Sequence, residues 1–211
     1  MNTPQEKFWS SSFGEKYIER NPQTIKAMDK LYVDLLGVSA SGLYREFLSK
    51  LKLRKVLETG CNIGMQLEIL QKLGFKNLYG IDIFGKAVEK SKARTKNINI
   101  IQGSIFDIPF KDSYFDLVFS STVLIHISPK DIKKALTEIH RVSGKYIFGY
   151  EYFNDKYTEI NYRKNKNRLW KGNFAKIYLD LFPNLELVKE RRIKNLPDDN
   201  IDTVYLLKKK I

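Results

Sequence analysis

A single cysteine, Cys61, leaves this chain without any internal disulfide and makes a reducing cytoplasm the expected compartment. No apolar run is long enough to span a membrane. Met1 to Lys7 lacks the apolar core of a signal peptide. Histidine is nearly as scarce, with only His126 and His140. Neither lies near Cys61 in sequence, so Cys61 reads as a small turn residue and not as a nucleophile. Zinc-finger spacings, repeats and low-complexity tracts are absent. Asp198, Asp199 and Asp202 have no histidine beside them and read as a turn, so no metal is expected. Acidic residues are also in deficit, 24 against 37 Lys and Arg, giving a net charge of +13. Clustered cations would suggest nucleic acid. Here they are spread along the chain, apart from Arg163 to Arg168 and Lys189 to Lys194, with no RNP motif or basic helix. Solvated faces plus attraction of a small anionic substrate is the better reading, with nucleic acid the weaker alternative.

What is present suits one domain with a full core and a modest extension: 211 residues, 43% of them hydrophobic. Residues 1–50 read as a helical cap and 51–211 as the main domain. The cap opens on Phe8, Trp9, Phe13, Tyr17 and Ile18. Asn21-Pro22 is a helix start, followed by Ile25, Met28, Leu31, Leu35 and Leu36 and a stop at Gly37. Ser41 is expected to cap the next helix. Aromatics at such spacing are usually core, although a helix closing over a pocket would look the same.

From Lys55 strands alternate with helices. Strands are expected at 55–59, 77–83, 97–102, 115–120 and 144–152, with helices near 64–73, 85–95 and 130–141. This order predicts a parallel sheet covered on both faces. A long loop should follow, then a helix from Asn173 to Phe182. Two last strands, Leu185 to Ile193 and Ile201 to Lys208, flank a turn.

The segment Lys55 to Gly64 organises the rest. It predicts a buried strand, a Gly turn and a helix N-terminus, a place where backbone approaches a ligand closely. Gly74 should end that helix. The second strand ends in Asp82, 22 positions beyond Gly60, where a carboxylate can accept from a ribose diol. A dinucleotide fingerprint fails here, because Asn62 and Met65 stand at two of its three glycine positions. Glu58, Gly60 and Gly64 instead match the E/D-x-G-x-G-x-G pattern of class I S-adenosylmethionine (SAM) methyltransferases. Asn62 takes the middle place, and asparagine tolerates positive φ better than other non-glycine residues.

Further on, the chain resembles this class at Gly103 to Phe110, Phe115 to Ser120 and Leu124 to Ile127. The resemblance implies a Rossmann-like seven-stranded sheet, mostly parallel with the last strand antiparallel, helices on both faces and an N-terminal helical cap. It implies SAM as cofactor, held by Glu58, Gly60, Cys61, Asn62, Gly64, Asp82 and Ile83. It adds Ser104 and Ile105 at the adenine, with Ser in place of the more usual Asp, and Ser121 and Thr122 at the methionine part.

The flanks Phe8 to Asn21, Glu151 to Asn154, Ile160 to Arg163 and Leu169 to Phe174 resemble methylases associated with pseudaminic acid biosynthesis. They imply an acidic nine-carbon sugar, free or nucleotide-linked, methylated at oxygen. A sugar hydroxyl needs a base, for which His126 and Glu151 are the candidates. An acidic sugar needs cations and polar contacts, here Tyr17, Arg20, Tyr152, Tyr162 and Arg163, with Arg163 gripping the carboxylate. An RNA or protein methyltransferase and a SAM-binding protein without turnover remain the alternatives.

Overall fold

The computed structural model describes residues 3–210. Its centre is a seven-stranded sheet made of β1 (Val56–Thr59), β2 (Leu78–Asp82), β3 (Ile98–Gln102), β4 (Phe115–Ser121), β5 (Ser143–Tyr152), β8 (Leu185–Lys194) and β9 (Ile201–Lys209), in the order β3-β2-β1-β4-β5-β9-β8. The first five pair in parallel, and β9 runs antiparallel to both of its neighbours. This is the sheet expected from the sequence. β1 and β4 are buried at every position, so their burial shows no alternation, and their apolar residues Val56-Leu57 and Leu117-Val118-Phe119 are consecutive.

Helices cover both faces. On one side lie α3 (Ile25–Leu36), α4 (Ala40–Leu48), α5 (Met65–Lys72) and α6 (Gly85–Arg94). Met28, Tyr32, Phe47 and Leu67 from this layer join Phe119 and Phe148 of the sheet in one core. The other side carries α7 (Ile132–Val142) and α8 (Phe174–Leu181), where Leu136, Ile139 and Tyr178 pack on Val118, Ile147 and Tyr205. Residues 25–48 therefore share the sheet's own core. Only α1 (Pro4–Trp9) and α2 (Ser12–Arg20) stand outside these two layers.

Local chemistry accounts for the helix ends. Gly37 adopts φ +71° at the end of α3, and Gly74, φ +95°, follows α5. Two starts differ from expectation. Thr24, not Asn21, caps α3 by accepting from the Ala27 N–H, and Ser39, not Ser41, caps α4 by accepting from Gly42. Ser41 is bound instead to Asp29 of α3.

The expected loop after β5 is a hairpin, β6 (Thr158–Tyr162) and β7 (Asn165–Lys171). Its short alternating strands bury only Leu169 and Trp170, so the apolar pattern is faint. Asp202 is a further correction. It lies inside β9 opposite Tyr152, fully buried, and accepts from the Tyr150 hydroxyl. Among the described residues no helix is long and apolar enough to cross a membrane.

Candidate cofactor and acceptor site

The turn after β1 is shaped by left-handed backbone. Gly60 has φ +69°, and a Cβ there would lie 2.6 Å from Val123 Cγ2. Asn62 (φ +46°) and Gly64 (φ +78°) complete it. Asp82 fixes the turn to the tip of β2: its Oδ2 accepts from Asn62 N–H at 2.8 Å and its Oδ1 from Phe84 N–H at 2.9 Å. Burial still pushes the Asp82 carboxyl above its usual range. Glu58, one strand residue before the turn, is buried, and its Oε2 has no partner among the described residues. Desolvation, then the nearby Asp82 charge, drives this carboxyl well up. Cys61 is buried in the same turn, and its thiol is pushed up by desolvation and the two acids, the opposite of what a nucleophile needs.

These groups open on a cavity of about 290 Å³ at the C-terminal ends of the parallel strands. Of the residues expected to hold a cofactor, Glu58, Gly60, Cys61, Asn62, Asp82, Ile83, Ile105, Ser121 and Thr122 line it. Gly64 lies behind the turn, its α-carbon facing Ser91 and Thr95 of the α6 end. Ser104 is also set back. Its hydroxyl donates to Glu6 Oε1 at 2.5 Å and accepts from Phe106 N–H at 3.0 Å. Glu6 of α1 is thus the acid present at this end of the cavity, and the sequence reading missed it. The signal was there: Thr3-Pro4-Gln5-Glu6 forms a capping box, with proline in the first turn.

At the tip of β4, Thr122 holds φ +55°, an uncommon conformation for a β-branched residue. Its N–H donates to Tyr150 O at 2.7 Å and its hydroxyl to Ser121 O at 2.7 Å. The chain then turns through a 3-10 segment, Leu124–His126. Glu151 builds that segment. Fully buried, it accepts from the Ser120 hydroxyl and from the N–H groups of Val123, Leu124 and Ile125 at 2.8 to 3.3 Å. It does not line the cavity, so it is corrected from base candidate to positioning residue. Burial raises its carboxyl to about 7 against the pull of these donors.

His126 does line the cavity. Its Nδ1 lies 2.7 Å from the backbone carbonyl of Arg168 in β7. A carbonyl only accepts, so Nδ1 carries the proton and Nε2 is left as the lone-pair nitrogen. Desolvation lowers this imidazole to about 4. Trp9 packs on it with ring centroids 4.5 Å apart, and Tyr162 stands at 5.4 Å.

The remaining expected contacts divide. Tyr17 and Tyr152 line the cavity, and burial pushes the Tyr17 hydroxyl up to about 12. Tyr162 is one ring further out, against Trp9, Phe13 and His126. Arg20 is exposed, with its guanidinium over the Phe13 and Tyr17 rings. Arg163 is corrected: it sits at φ +49° in the exposed turn of the β6–β7 hairpin, outside the cavity.

Comparisons with known proteins agree with this architecture. Residues 57–148 match the family described as Methyltransferase domain. An uncharacterized methyltransferase of Synechocystis is 30% identical over 89 residues, 42% of each chain. Matches to such curated relatives span about two fifths of their length. Among solved structures, the PH0226 protein of Pyrococcus horikoshii superposes with a TM-score of 0.63 at 18% identity, covering 99% of this chain and 95% of that one. A SAM-dependent methyltransferase of Aquifex aeolicus gives 0.64 at 18% identity, covering 91% and 97%. The fold is that of the class I SAM-dependent methyltransferases.

The residues present fit SAM. Its ammonium and sulfonium are cations, and the cavity offers a buried Glu58 carboxylate oxygen that lacks a partner. Asp82 stands at a strand tip with capacity for ribose hydroxyls beyond its two backbone donors. When bound, SAM supplies an activated methyl group on sulfur.

Proposed function

We propose that this chain is a SAM-dependent methyltransferase acting on a small acceptor. The observation that carries the reading is Glu58, a buried carboxylate without a partner, beside Asp82 in a domain of the methyltransferase family. Burial without a partner favours the uncharged acid, and a cationic ligand beside it would favour the carboxylate that pairs with it. Glu58 and Asp82 hold the cofactor, and the Gly60 turn lets it approach the backbone. Ser121, Thr122 and the Glu151-anchored segment place His126 Nε2 where an acceptor proton can be received. Trp9 and Tyr17 exclude water from that point. The lone buried thiol and this cofactor suit the cytoplasm.

The flanks carry a finer reading, O-methylation of an acidic nine-carbon sugar or its nucleotide-linked form. It needs a cation for the sugar's carboxylate. Lys and Arg are missing from the cavity lining among the described residues, so rim groups such as Arg20 would have to serve.

Calorimetric titration with SAM tests the cofactor, and labelled SAM incubated with the protein and a lysate tests the acceptor. Saturable binding with label in small metabolites supports the proposal. Label in RNA or protein would replace the acceptor class, and tight binding without transfer would leave a SAM-binding protein.

A further inference from the structure

The chain carries a net charge of +13, yet the cavity at the strand ends is acidic. Glu6, Glu58 and Asp82 line it, and among the described residues neither Lys nor Arg does. All three acids lie on the side formed by β1, β2 and the turn after β3. The same lining includes Trp9, Tyr17, Tyr32, Leu35 and Tyr152, with Met28 and Leu31. The lining tyrosines and His126 are uncharged at neutral pH.

An anionic acceptor entering here would lose its hydration with no Lys or Arg of the lining to replace it, and only the cofactor's own sulfonium as counter-charge. A planar apolar body, by contrast, gains from burial against the aromatic rings. The positive charge lies on outer faces, where it meets solvent, and does not describe the ligand.

The base points the same way. His126 Nε2 is uncharged and held by the Arg168 carbonyl through Nδ1. Desolvation makes it a weak acceptor of protons, about 4. An alkyl hydroxyl is about as weakly acidic as water, whereas a phenol lies near ~10, far more acidic. A weak base assists proton removal best when the acceptor hydroxyl is itself acidic.

The geometry points to an uncharged, planar, phenol-type hydroxyl compound as the acceptor, seated between Trp9 and the α3 face with its hydroxyl on His126. This rests on the methyltransferase reading. The phenolic O–H passes its proton to His126 Nε2 while the oxygen forms a bond to the methyl carbon. The carbon–sulfur bond breaks with its electron pair on sulfur, giving S-adenosylhomocysteine and an aryl methyl ether. The imidazolium then releases its proton to solvent.

The test is a matched pair on the full chain saturated with S-adenosylhomocysteine, followed by tryptophan fluorescence: 2-naphthol against 6-hydroxy-2-naphthoic acid, which adds one carboxylate. N-acetylneuraminic acid serves as the acidic nine-carbon sugar. Saturable binding of 2-naphthol at least tenfold tighter than either acid supports the inference. Leu31→Arg, a substitution at the half-exposed cavity mouth, should narrow that ratio by admitting the carboxylate. Equal or tighter binding of either acid would overturn the inference and leave the methyltransferase reading standing. Failure of S-adenosylhomocysteine itself to bind, measured calorimetrically first, would overturn both.

Discussion

The indole of Trp9 lies on the imidazole of His126, 4.5 Å between centroids, across 117 positions of sequence. The contact joins the first helix to the segment after β4, so one aromatic side chain both walls the cavity and keeps water from the ring nitrogen. Trp9→Ala should therefore return His126 from about 4 towards its ordinary 6.5, read from the imidazole proton shifts in an NMR titration. It should also raise KM for acceptor more than for SAM. A His126 titration unchanged by the substitution would show that Trp9 is not what dries the ring.

The same imidazole makes stability depend on pH. Its folded value lies below its unfolded one, so the unfolded chain binds the extra proton as pH falls. This contribution is complete above 6.5 and is lost as pH drops towards 4, on the order of 3 kcal/mol in all. His126→Gln should flatten the fall in melting temperature over that window. An undiminished slope would assign the acid lability elsewhere.

Glu58→Gln should separate stability from binding. Burial and Asp82 already favour the uncharged acid, so the neutral amide should leave the melting temperature of the ligand-free protein close to the parent's. The same change should weaken SAM binding by about 1–3 kcal/mol, the usual worth of a charged hydrogen bond. Unaltered affinity would remove Glu58 from the cofactor site.

For Glu151 the expectation is structural. Glu151→Ala leaves the Ser120 hydroxyl and three N–H groups without their acceptor, and should cost about 2–4 kcal/mol in denaturant unfolding. Glu151→Gln should also destabilise, because its NH2 would face one of those donors. A large drop in kcat at unchanged stability would instead revive Glu151 as the base.

Thr122→Gly should relieve the left-handed strain at the β4 tip, gaining about 1 kcal/mol or less after glycine's added chain entropy. Turnover should nevertheless fall, since the variant loses the Thr122 hydroxyl bond to Ser121 O and frees the backbone around the reacting atoms. A variant as active as the parent would show that the strain does no positioning.

Much of the frame was legible in the chain. Val56-Leu57 running into Gly60 gives a buried strand and tight turn because no other residue fits beside Val123. Asp82 at the end of the next strand follows from spacing alone. The misses have physical causes. β6 and β7 bury little, so their pattern is weak. Glu6 and Ser104 are 98 positions apart, and a hydrogen bond between them leaves no periodicity to read. Arg163 looked like a carboxylate grip because charge says nothing about which side of a hairpin turn faces solvent.

The sequence by itself determined the sheet, the Gly60 turn and the acids at the strand ends, because these follow from local backbone preference and burial period. Only the tertiary structure decided the character of the site. Charge and aromaticity are spread through the chain. Folding sorts them, keeping Lys and Arg out of the cavity lining while Trp9, Tyr17 and Tyr152 line a dry wall around His126. Removing an ion from water costs more than burying a ring, so among the described residues the cavity of this basic protein is lined by none of its Lys or Arg.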